Sequence, residues 1–66
     1  MREPMSLKAH RVNLNMTQKE VSEIMGIARN TLINYENFVT TPDIDTGLKF
    51  AELYNTTVDN IRWKKD

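Results

Sequence analysis

An all-α domain of five short helices is what this sequence predicts, and three observations carry the expectation. Apolar residues recur at helical rather than alternating spacing, as in Val21, Ile24 and Met25 and again in Leu32 and Tyr35. Capping residues open the periodic stretches, most clearly Thr17 with Glu20 three residues later. Short breaks built on Asn15, Gly26, Pro42 and Asn55 separate those stretches, so neighbouring helices must pack on one another.

Taken in order, Met1 to Met5 contains Pro4 and two opposite charges and is expected to be a loose lead-in. The folded domain is expected over residues 6–63, with 64–66 as a tail. Ser6 is the N-cap of a first helix that runs to about Asn13. Leu7, Arg11 and Leu14 lie at i, i+4 and i+7, so this helix buries a stripe with an arginine in its middle. That arginine needs a partner. Asn15 tolerates a left-handed backbone and ends the helix.

The stretch Thr17 to Asn37 organises the rest. Its two helices meet at Gly26, where the first apolar pattern stops, and Ile27 is an apolar plug between them. A helix, a glycine turn and a second helix with a polar outer face make a helix-turn-helix arrangement. Phe38 to Pro42 loses the helical period and reads as a loop. Thr41 is expected to cap a fourth helix, with Pro42 in its first turn and Asp43 and Asp45 where carboxylates suit the helix dipole. Ile44, Leu48, Ala51 and Tyr54, flanked by Phe50 and Leu53, give that helix a broad apolar face. Gly47 within it costs roughly 1 kcal/mol against Ala and is expected to permit a close helix approach. Asn55–Thr56 forms a turn, and Thr57 caps a fifth helix from Val58 to about Trp63 that carries Ile61 into the core.

Composition narrows the function classes. Sixty-six residues make one small domain, and the absence of cysteine leaves neither disulfides nor thiolate metal sites to staple it. No apolar run is long enough to span a membrane, and the opening MREPMSLK lacks the apolar core of a signal peptide, so a soluble, cytoplasmic chain is expected. Nine Lys and Arg balance nine Asp and Glu. The balance is nearly even locally too, with five basic against four acidic residues up to Phe38 and four against five beyond it. Any nucleic-acid face must therefore be a local cluster on a neutral body. His10 has no second His or Cys beside it, no glycine loop could cradle phosphate, and the serines lack a base. An enzyme, a metal site, a cofactor and a small-molecule substrate are not expected.

Between Leu7 and Ile61 the chain resembles the Cro and phage-repressor type of helix-turn-helix domain, the lambda-repressor-like fold. The residues that carry the likeness are Arg11, Thr17-Gln18, Val21 to Met25, Gly26, Thr31-Leu32, Tyr35-Glu36-Asn37, Pro42, Ala51 and Thr57 to Ile61. The resemblance implies that the second helix of the motif lies in the DNA major groove, its N-terminal residues at base edges. It assigns Arg29, Asn30 and Asn34 to bases and Thr31 to the neighbourhood of phosphates. Their chemistry suits those roles. Arg donates twice to guanine O6 and N7 and Asn pairs with adenine N6 and N7, each good pair giving ~1–3 kcal/mol of discrimination. Gln18 resembles a glutamine that touches phosphate and braces the recognition helix, and Lys19 beside it is a phosphate contact or a solvated charge. Arg11 and Glu36 resemble a buried ion pair of the family.

The chain departs from that pattern in a connected region. Ala28 stands where a capping Ser or Thr is common, Phe38 replaces a helix-ending glycine, and the loop from Phe38 to Thr41 carries no Lys or Arg. Ile33 adds an apolar side chain to a face that should be polar. Two readings follow. The preferred one is a sequence-specific transcriptional regulator of the phage-switch type, bound to a double-stranded DNA operator as a homodimer. The Ile61 to Trp63 end is a candidate dimer surface, with Trp63 alternatively a lid on the core. In the other reading the chain is an antirepressor or modulator that binds a partner repressor through Arg29, Ile33, Asn34, Phe38 and Val39, where zero net charge is no handicap.

Overall fold

The computed structural model describes residues 3–65, so positions 1 and 2 of the expected lead-in and position 66 of the expected tail lie outside the described residues. Four helices form: α1 (Leu7–Asn13), α2 (Gln18–Met25), α3 (Arg29–Glu36) and α4 (Ile44–Leu53). Ser6 Oγ accepts from the Ala9 N–H at 3.1 Å and starts α1. Thr17 and Glu20 close a reciprocal capping box at the head of α2, with bonds of 3.0 and 2.8 Å. Gly26 then takes a left-handed conformation, φ 69°, which ends α2 and turns the chain into α3.

Two helix expectations need correction. Asp43, rather than Thr41, caps α4, accepting from the Thr46 N–H at 2.8 Å, so Pro42 stands outside the helix. Asp is the stronger capping residue, and it holds the position nearer the apolar run. More consequentially, no fifth helix follows Thr57. Val58–Asn60 makes a single 3-10 turn, and Ile61–Arg62 forms a strand, β2, parallel to β1 (Met5–Ser6), with Met5 opposite Ile61 and Ser6 opposite Arg62. The described residues therefore form four helices and a small strand pair and are not all-α. Val58, Asp59, Asn60 and Ile61 all have low helix propensity, and Thr57 makes no side-chain capping bond. Extended backbone instead pairs with a segment more than fifty positions earlier. Met5, expected in a loose lead-in, is thereby a strand residue.

The core is Leu7, Val21, Leu32, Phe50, Ala51, Tyr54 and Ile61. Phe50 sits at its centre, edge-on to Tyr35, stacked with Tyr54 and tilted against Trp63. Trp63 is tied down by its indole N–H, which donates to the Val58 carbonyl at 3.1 Å, and it packs over the core as a lid. Its ring is what approaches Gly47: a Cβ there would lie 3.6 Å from the indole, so the close neighbour is a side chain rather than a helix. Four residues expected on buried faces stand out in solvent instead: Leu14 (49 % exposed), Ile24 (60 %), Ile44 (67 %) and Leu48 (53 %). Helices of seven to ten residues bury a narrow stripe, on α4 Gly47, Phe50 and Ala51, and a domain this small cannot cover the flanks.

Candidate nucleic-acid interface

The side-chain hydrogen bonds that tie α3 to α1 and α2 converge on its last residue. Glu36 is 5 % exposed and accepts three bonds. Arg11 of α1 donates from Nε to Oε2 at 2.7 Å and from Nη2 to Oε1 at 3.2 Å, and Gln18 of α2 donates from Nε2 to Oε1 at 3.0 Å. Arg11 also donates from Nη1 to the Met16 carbonyl at 2.9 Å, reaching the link between α1 and α2. One carboxylate thus joins the three N-terminal helices. The Glu36 hydrogen bond holds the Arg11 guanidinium even more firmly protonated than usual, against a smaller opposing effect of burial. Gln18 in this structure spends one amide hydrogen on bracing α3.

Beyond Glu36 the chain closes in an unusual way. Asn37 is the C-cap of α3, and Phe38 adopts φ 62°, the left-handed conformation that a glycine would take there. The turn is completed by Val39 N–H donating to the Asn34 carbonyl at 2.9 Å. The Phe38 ring is half-buried, with the Arg62 guanidinium over it at 5.7 Å from the centroid. At the other end Ala28 occupies the N-cap of α3 with no side-chain bond, so N–H groups of the first turn are left uncapped by it.

The outer side of α3 presents Arg29, Asn30 and Asn34, all exposed, with Thr31 and Ile33 half-buried beside them. None of the side chains of Arg29, Asn30 and Asn34 bonds to another described residue. Lys19 is exposed in the first turn of α2, next to the half-buried Gln18. Of the apolar residues named for a protein partner, Val39 is open to solvent at 67 %, whereas Ile33 is half-buried and Phe38 is covered on one face by Arg62. Asn37 was overlooked by the sequence reading of the site. It is exposed, and its spacing from Asn30 and Asn34 continues the same helical line.

Away from this face the chemistry is structural. His10 is 8 % exposed, its Nε2–H donates to the Asn60 carbonyl at 3.1 Å, and its ring stacks on Tyr54. Among the described residues no cluster of His, Cys, Asp or Glu could hold a metal ion, and no helix is long and apolar enough to cross a membrane.

A capped helix, a left-handed glycine and a second helix locked at its C-terminus and polar on its outer side define a helix-turn-helix domain. The chain belongs to the helix-turn-helix family of the Cro/C1 type, whose model matches residues 7–61. Among curated proteins it is similar to the HTH-type transcriptional regulator ImmR of Bacillus subtilis (strain 168), with 42 % identity over 60 residues, covering 91 % of this chain and 47 % of that protein. It is also similar to an uncharacterized HTH-type transcriptional regulator of Archaeoglobus fulgidus, with 29 % identity over 55 residues, covering 83 % of this chain and 78 % of that protein. The chain thus spans about half the length of the Bacillus relative. No solved structure gives a significant match.

Proposed function

We propose that this chain is a DNA-binding domain that regulates transcription, and that α3 enters the major groove of a double-stranded operator. The observation that carries the reading is the contrast between the two sides of α3. Its inner side is locked through Glu36 to Arg11 and Gln18, while the side chains of Arg29, Asn30 and Asn34 on its outer side bond to no other described residue. A rigid helix with unpaired polar groups is what base readout requires. Arg29 donates to guanine, Asn30 and Asn34 pair with adenine, and Thr31 lies toward the phosphates. Lys19 meets phosphate at the head of α2, where Gln18 braces the interface and free N–H groups of the helix end favour an anion. The regulator is of the phage-switch type and reads two half-sites as a homodimer.

A second reading, an antirepressor that engages a partner repressor, draws support from the exposed Val39 and from zero net charge. The covering of Phe38 by Arg62 weighs against it, because it shrinks the apolar patch beside Arg29 and Asn34.

Binding to duplex DNA across a range of salt concentrations tests the proposal. Affinity is expected to fall linearly on a log–log plot, and Lys19→Ala is expected to weaken all sequences alike and reduce the slope by ~0.9. Affinity that ignores salt contradicts phosphate-driven binding. A stable complex with a partner repressor in the absence of DNA, combined with no duplex binding, would favour the second reading.

A further inference from the structure

The outer side of α3 is richer in amides than in charge. Asn30, Asn34 and Asn37 stand at i, i+4 and i+7, all three are exposed, and none of their side chains bonds to another described residue. The opposite side is occupied by Leu32 and Glu36, both buried. Asn37 lies one position past the last helical residue, but its N–H still bonds to the Ile33 carbonyl at 2.9 Å, so it extends the helical line. At ~1.5 Å of rise per residue the three amides cover roughly 10 Å, about three base-pair steps. Ile33 is half-buried beside the line, and Arg29 at its head is the one guanidinium on this helix.

An asparagine amide offers one acceptor and one donor side by side. Adenine matches that pair through its N6 amino group and N7, whereas guanine presents two acceptors, O6 and N7, and cytosine a donor alone. Ile33 has no polar atom to offer a base and suits the methyl group of thymine, the partner of adenine. With a net charge of zero, and no Lys or Arg from Phe38 to Thr41, base contacts weigh more in the affinity of this chain than in that of a basic one. We propose that Asn37 is a third base-reading residue, and that the Asn30–Asn34–Asn37 line selects an A·T-rich half-site within about four successive pairs with a guanine at the Arg29 end. This inference rests on the placement of α3 in the groove.

The test is selection of duplexes from a randomised pool by the whole chain, followed by affinity measurement on the selected sequence. Adenine is expected at the positions facing the three amides. Replacing a contacted adenine by 7-deaza-adenine, which lacks the N7 acceptor, should weaken binding roughly tenfold at each such position. Asn37→Ala, with folding checked by circular dichroism, should relax selection at one position and leave the others unchanged. Asn34→Asp should move the preference at its position from adenine to cytosine, since a carboxylate accepts from cytosine N4 but cannot donate to adenine N7. Salt-dependent binding with a G·C-rich selected site, with no base enriched, or with an Asn37→Ala selection identical to the parent overturns this proposal and leaves DNA binding standing. Failure to bind any duplex removes both.

Discussion

Phe38 holds a backbone conformation, φ 62°, that a β-carbon makes unfavourable by about 1–2 kcal/mol, and its ring contact with Arg62 offsets part of that cost. The two effects can be separated. Phe38→Ala loses the ring and keeps the strain, whereas Phe38→Gly loses the ring and the strain together. Glycine at this position is therefore expected to be more stable than alanine by ~1 kcal/mol in chemical denaturation. Tyr54 presents a second residue-scale conflict, since its hydroxyl is buried with no hydrogen-bond partner among the described residues. Burial, with a smaller contribution from the Glu36 charge, raises the phenol above its ordinary value of 10.0. The native state keeps the proton while the unfolded chain releases it. That contribution to stability is complete below pH 10 and is lost progressively as pH rises through the native value. Tyr54→Phe should abolish this alkaline loss and, by removing an unpaired buried hydroxyl, raise stability at neutral pH by about 1 kcal/mol. Neither feature was legible in the sequence. A left-handed phenylalanine and an orphaned hydroxyl depend on what surrounds them, whereas the capping box of Thr17 and Glu20 is local and could be read directly.

Among the elements, α3 is held by the others through Glu36. Breaking a buried pair by removing one partner costs ~3–5 kcal/mol. A chain of this length has a total stability of roughly 3–10 kcal/mol, so Arg11→Ala or Glu36→Ala alone should bring the domain to the edge of unfolding. The double variant should be far less destabilised than the sum of the two, and a double-mutant cycle with no coupling would refute the role assigned to the pair. Helices α1 to α4 were readable because their caps and apolar periods are local signals. The chain after Thr57 was not, because the same Ile61 that fits a helical stripe also fits a strand. What decides between them is pairing with Met5–Ser6, a contact that no local window contains. The choice of Asp43 over Thr41 was a smaller, local miss, between residues two apart that both cap helices.

For the whole molecule, neutrality and size shape the surface. The chain carries equal numbers of basic and acidic residues, and several large apolar side chains, Ile24, Ile44 and Leu48 among them, remain in solvent. Helical periodicity marks these as core positions, but the sequence does not show how few faces a domain with helices this short can cover. The exposure of the proposed base-reading residues was more legible than the core boundary. Arg29, Asn30 and Asn34 were assigned through the family resemblance and are exposed, while the Arg62 cover of Phe38 and the continuation of the amide line to Asn37 needed the folded chain. The proposed DNA face is the polar side of α3, and the exposed apolar residues of α4, Ile44 and Leu48, are not part of it. Backbone amide shifts of the isotope-labelled chain, followed by NMR during titration with duplex DNA, separate them most directly. The account predicts that the perturbed residues cluster at Gln18, Lys19 and positions 29–37; perturbations gathered at Ile44 and Leu48, or none at saturating duplex, would contradict it.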